Sequence, residues 1–164
     1  MKNRIQHVWN DHFDPDGEPR WPDTPDSRNK LASRLLGASV IASVDDWLEL
    51  ALDVLRNAEP SPARRRERTR SEAEDRQRSV FATLSQEQRV ALEALLFQTV
   101  RGSLHSILVR LDQFPGARLD IVAFHPDTEQ KLASILEGDI LDLHDRLSSW
   151  IEEFSDYVKE LEAS

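Results

Sequence analysis

Apolar residues recur along this chain at helical spacing, in runs separated by proline-rich or polar breaks. Ile5, Val8, Trp9 and Phe13 fall on one face of a short opening helix. In the following DPDGEPRWPDTPD, four prolines and a glycine hold the backbone irregular, so residues 1–26 read as an N-terminal strap. Asp26 or Ser27 is placed to cap a helix over residues 28–42. Ser43 with Asp46 reads as a capping box opening another helix to about Ala58. In that helix, VDDWLELALDVLRNA, Leu50 and Leu52 lie off the main stripe, which predicts cover on more than one side.

PSP at 60–62 breaks the pattern, and the arginine-rich stretch after it predicts a mobile linker over 60–70. Further on, Glu72 stands four residues before Arg76 and Glu74 four before Arg78, the favourable order for helical ion pairs. Ser85 and Gln88 form a second capping box. The helix they open carries a stripe of Leu92, Leu96, Val100, Leu104, Ile107, Leu111 and Phe114, and Pro115-Gly116 ends it. LDIVAF, residues 119–124, is β-branched and predicts a short extended segment. From Asp127 one stripe runs through Leu132, Leu136, Ile140, Leu143, Leu147, Trp150, Phe154 and Leu161. Gly138 does not shift its phase, so one long or mildly kinked helix is expected. The whole pattern is that of an all-α bundle of about five helices in a single domain over 1–164, without internal repeats.

Composition narrows the class. A chain of 164 residues, 39% hydrophobic and 31% charged, can bury one real core beneath a heavily solvated surface. The absence of cysteine excludes disulfides, thiolate metal sites and cysteine nucleophiles. MKNRIQHVWNDHF has no apolar signal-like core, and no run of 18 apolar residues occurs, which predicts a cytoplasmic protein that does not enter membranes. The net charge of −9 is uneven: residues 115–164 carry 4 basic and 12 acidic groups. Such a tail repels nucleic-acid phosphates and attracts a basic protein surface.

The chemistry-bearing residues support few sites. HVWNDHFDPDGEPRW holds His7 and His12 five apart, a spacing that turns the second ring away from the first, whereas zinc on one helix favours three or four. DPDGE opens like a calcium loop but lacks the ligand ladder and the closing glutamate. Trp9, Phe13 and Trp21 make the stretch an aromatic strap instead. His105, His125 and His144 are the one conceivable metal triad. His105 lies about 140° from Val100 on the helical wheel, on an outward face with Gln98, Arg101 and Asp112. His144 sits at the edge of its stripe and His125 precedes Pro126, so no preformed metal shell is expected. The arginine run at 64–70 has no interleaved aromatics and reads as a solvated helix, not a nucleic-acid surface. No glycine-rich phosphate loop, nucleophile elbow or H-E-x-x-H motif is present.

LSQEQRVALEALLFQTVRGSLHSILVRLDQF, then LDIVAF, then LHDRLSSW, resembles the second half of a group of small uncharacterised bacterial helical proteins. These share an L-S-x-E-Q-R helix start, a G-x-x-H-x-x-L segment, a short extended piece and a later L-H. The corresponding positions here are Leu84 to Arg89, Gly102, His105, Leu108, and Leu143 with His144. The resemblance covers about the last eighty residues and implies architecture, with no activity attached. In size and charge the chain is also similar to bacterial immunity proteins, an analogy of character and not of site. The expected function is non-enzymatic: a cytoplasmic protein that neutralises a basic partner, such as a toxin domain, by masking its surface, without cofactor, metal, nucleic acid or membrane. The candidate partner-binding residues are Trp9, Trp21, Arg101, His105, Asp112, Glu152, Glu153, Asp156 and Glu160. The alternative is a metal-dependent helical-bundle enzyme using His105 and His144.

Overall fold

Thr24 starts the first long helix. Its Oγ1 accepts the Ser27 amide at 3.2 Å, and Pro25 follows at the first helical position, where its missing N–H costs nothing. The cap thus lies two residues before Asp26, because proline fixes φ at the helix start. The computed structural model describes residues 4–5, 7–8, 22–57, 72–113, 122–124, 131–134 and 143–163. Its helices are α1 (Pro25–Arg56), α2 (Glu72–Ala82), α3 (Gln86–Asp112), α4 (Leu143–Phe154) and α5 (Val158–Glu162). Arg4, Ile5, His7 and Val8 are helical too, as the opening periodicity predicts. Among the described residues the only β structure is an antiparallel pair, β1 (Val122–Phe124) with β2 (Lys131–Ser134), bulged between Ala123 and Phe124. Among the described residues the fold is all-α, with these five helices beside the helical residues near the N-terminus, and β1 falls inside the expected extended segment.

The chain groups into two compact units, residues 1–43 with 102–156 and residues 44–101 with 157–164. In the first unit, Leu31, Ala32, Ala38, Ile41 and Ala42 of α1 are buried, as are Leu143, Leu147, Trp150, Ile151 and Phe154 of α4. Small residues on α1 let the large ones of α4 approach. Gly37 faces the Trp150 indole so closely that a Cβ there would lie 2.6 Å from Nε1. Trp150 itself is 3% exposed, so its place on the apolar stripe is its place in the core.

The second unit is built from the last turns of α1 (Leu48, Leu52 and Leu55), α2, the first half of α3, with Phe97, and α5, with Leu161. Ser85 and Gln88 form the expected capping box: the Ser85 amide donates to Gln88 Oε1 at 2.9 Å and the Gln88 amide to Ser85 Oγ at 3.2 Å. Glu74 and Arg78 pair at 2.8 Å, as their spacing predicts. Arg76, in contrast, donates to the Glu72 carbonyl at 3.5 Å, not to its carboxylate. Arg78 does more than pair along its own helix, for it is only 1% exposed. Its Nη1 donates at 2.9 Å to the carbonyls of Asp53 and Asn57, which end α1, and Nη2 reaches Asp53 Oδ2 at 2.6 Å. Burial opposes the charge, but the Asp53 and Glu74 carboxylates outweigh it and hold the guanidinium protonated.

Three element assignments differ from the periodicity. The expected break at residue 43 is absent, and α1 runs through it. Ser43 Oγ donates back to the Ser39 carbonyl at 3.1 Å instead of capping a new start, and no proline or glycine forces a stop there. The α3 stripe is also rotated: Phe97 and Leu108 are buried while Ile107 and Leu111 are exposed. Steps of four advance about 40° beyond a full turn, so Leu92, Leu96, Val100 and Leu104 spiral away from any fixed neighbour. Phe97 and Leu108, three turns apart, stay on one line. Finally, Lys131–Ser134 is a strand and not the start of a helix from Asp127. Leu132, Leu136 and Ile140 are spaced by four, which repeats one face of a strand as well as one face of a helix. The linker over 60–70 and Leu136, Gly138 and Ile140 lie outside the described residues.

Two substitutions test this packing. Trp150→Ala should cost about 3–5 kcal/mol in denaturant titration as a large-to-small core change. Gly37→Ala should cost about 1–3 kcal/mol by overpacking, and wild-type stability in both would refute the Gly37–Trp150 contact. Separately, Arg78→Met leaves the buried Asp53 carboxylate without its cation and should cost about 3–5 kcal/mol. Thermal unfolding of Arg78→Met at wild-type temperature would show that the network contributes nothing.

Candidate functional site

Within the second unit, α1, α2 and α3 enclose an open apolar groove of about 430 Å³. Helical spacing makes its walls. Trp47, Leu50, Ala51 and Val54 form one face of α1; Ala73, Gln77 and Phe81 line α2; Leu92 and Leu96 come from α3. Trp47 is 69% exposed, and Val80, Val90 and Leu95 of the same unit are also exposed. The sole carboxylate on the wall is Glu74, already held by Arg78. A cleft of this size, mostly apolar with few polar groups, is the form that binding sites take. The sequence did hold a signal for it. Leu48, Leu52 and Leu55 make one apolar face of α1, and Trp47, Leu50 and Val54 make a second, in line with the apolar residues expected on more than one side of this segment.

The residues singled out from sequence fall in several places. Arg101 Nη1 donates to the Leu161 carbonyl at 2.9 Å, tying down the end of α5. Glu153 pairs with Arg34 at 2.8 Å, and Asp156 pairs with Arg4. Glu152 and Glu160 are exposed, and Glu160 adds to the field that favours the Arg56 charge. Trp9 and Trp21 lie outside the described residues, as do His12 and His125.

Asp112 does not share His105's open surface. Its side chain is 7% exposed because α4 begins over it. The carboxylate accepts the Leu143 amide at 2.9 Å and the His144 amide at 3.1 Å, so it caps α4 from the far end of α3. It also meets His144 Nδ1 at 2.6 Å. His105 is exposed, as expected, yet its ring stands edge-to-face with that of His144, centroids 5.5 Å apart. Wheel projections of separate helices carry no information about such a meeting. Among the described residues no group of three His, Asp or Glu side chains is placed to hold a metal ion. None of the described helices is long and apolar enough to cross a membrane.

Burial pushes the Asp112 carboxyl up, but hydrogen bonds from His144 and from the Leu143 and His144 amides more than offset this and hold it below the ordinary aspartate range. A depressed folded-state pKa contributes stability that is present above the unfolded value, about 3.9, and is lost as pH falls through the folded one. Asp112→Asn should therefore cost about 1.5–3 kcal/mol near neutral pH. Its urea midpoint should also decline less than the wild type's between about pH 5 and pH 3. Parallel declines would remove Asp112 from the acid response.

No family model, no curated protein and no solved structure matches this chain.

Proposed function

We propose that this chain is a non-enzymatic binding protein that masks a basic protein partner, in the manner of a bacterial immunity protein acting on a toxin. The observation that carries the proposal is Trp47, a large aromatic 69% exposed on the wall of an apolar groove. Tryptophan is the residue most enriched among interface anchors, and a groove beside it gives a partner's side chain somewhere to go. The net charge of −9 supplies long-range attraction to a basic surface, which acts mainly on the rate of encounter. Within the acidic C-terminal region, Glu153 and Asp156 already serve Arg34 and Arg4, so exposed Glu152 is the cleaner steering group.

The test is complex formation with a basic toxin-domain protein encoded beside this chain. The wild type should bind that protein and protect cells expressing it. Trp47→Ala should weaken affinity by about thirty-fold or more, the size of an interface anchor. Glu152→Lys/Glu162→Lys should slow association and flatten its salt dependence, with little change in dissociation. Absence of any complex would dismiss the toxin reading. A complex indifferent to Trp47→Ala would move the interface away from the groove.

A further inference from the structure

The groove in the second unit has a length as well as a volume. Its α1 wall runs from Trp47 to Val54, about 10.5 Å at the helical rise. Its α2 wall runs from Ala73 to Phe81, about 12 Å on the same rise. Apolar side chains at positions i, i+4 and i+7 of a docking helix span the same ~10.5 Å. An extended segment covers that distance in about three steps and turns only two side chains to one side. The walls also offer no strand edge, because they are helices whose backbone groups pair internally. Ala51 on α1 and Ala73 on α2 leave room for a second backbone to come close between their larger neighbours. Charge separates the remaining occupants. The described residues of this unit carry 11 acidic and 6 basic side chains. Four of those six cations are turned to their own chain: Arg78 in its buried network, Arg56 on Glu93, and Arg89 and Arg101 on the carbonyls of Ala82 and Leu161. Exposed Asp46 and Glu72 stand next in sequence to Trp47 and Ala73 of the groove walls. A second copy of this chain brings the same negative excess to the contact, whereas a basic segment meets its complement.

We propose that the groove receives an amphipathic helix of the partner, with apolar residues at i, i+4 and i+7 on its buried face and Lys or Arg along its flanks. The inference rests on the masking of a basic protein partner and narrows it to one recognition mode, a helix laid into an apolar groove. Trp47 then closes over the docked helix from the rim, and Asp46 and Glu72 meet its flanking cations.

The probe is a synthetic peptide of about eighteen residues, long enough to hold a helix once docked. It carries leucine at i, i+4, i+7 and i+11 and lysine or alanine elsewhere, and is titrated into the full chain by calorimetry and circular dichroism. One peptide per chain is expected at micromolar affinity, with a gain in helicity. A peptide of the same composition with its leucines scattered, and one with glutamate in place of lysine, should each bind at least tenfold more weakly. Trp47→Ala should weaken binding at least tenfold. So should Ala51→Phe, which fills the groove and leaves Trp47 in place, both variants being checked for unchanged helicity. Asp46→Lys/Glu72→Lys should slow association and flatten its salt dependence. Equal binding of the scattered-leucine peptide, or an affinity untouched by both Trp47→Ala and Ala51→Phe, would overturn the proposal. A dimer of the free chain that Trp47→Ala dissolves would also overturn it, by assigning the groove to a second copy. Failure of the peptide beside a toxin-domain complex that still depends on Trp47 would remove the helix and keep the partner. Peptide binding without any such complex would keep the helix groove and remove the toxin.

Discussion

A single buried guanidinium sets the geometry of the second unit. Arg78 has five N–H donors, and each has a partner: Glu74 for Nε, two carbonyls of α1 for Nη1, and the Asp53 and Glu74 carboxylates for Nη2. Two of those partners are carbonyls at the C-terminal end of α1, that of Asn57 just past the helix and that of Asp53, which also accepts the Asn57 amide at 3.1 Å, and the helix dipole there favours a cation. The burial of Asp53 is offset by Arg78 and by the Asn57 side-chain amide, which donates to its Oδ1 at 3.1 Å. The phase of α2 follows from the same contact. With Glu74 and Arg78 turned toward the end of α1, Ala73, Gln77 and Phe81 are left to face the groove. The apolar site therefore inherits its shape from a polar network. A hydrophobic replacement would lack that orientational demand, since a fork of fixed donors accepts far fewer relative placements than an apolar contact does.

The legible parts of the sequence were those decided locally. Ser85 and Gln88 satisfy each other within one turn, and the Glu74–Arg78 spacing works on any helix, so both could be read without knowing the fold. Trp150 was legible because the α4 stripe is narrow and strongly one-sided. What escaped depends on a second element. Arg78 looks like one more charge in an arginine-rich run until the carbonyls of α1 are placed against it. Trp47 carries no signal of its own in the sequence, because its exposure depends on where α2 and α3 stand around the groove. His105 and His144 were each noticed, but helices nearly forty positions apart in sequence carry no mutual phase, so their meeting was not predictable.

Counting charges also overstates how much of the acidic character is available at the surface. Glu93 is engaged by Arg56 in a two-point contact, with Nε at 2.8 Å and Nη2 at 2.6 Å. Glu153 and Asp156 are engaged by arginines of the N-terminal region, Arg34 and Arg4. These pairs are at least partly solvated and contribute little to stability individually. They do set each carboxylate beside a cation of the same chain, which separates the protein's net charge from the charge a visitor meets at contact distance. Long-range attraction follows the former and local complementarity the latter.

The cap on α4 has a consequence for how this chain can change. Most helices carry their N-cap in the residue just before them, so an insertion at that point removes the cap. Here the acceptor is Asp112, 31 residues upstream of the amide it serves. The start of α4 is thus set by the end of α3 and not by the residue just before it. A change at Asp112 therefore acts on the first turn of α4 without touching any residue of that helix, and the two helices answer to one carboxylate.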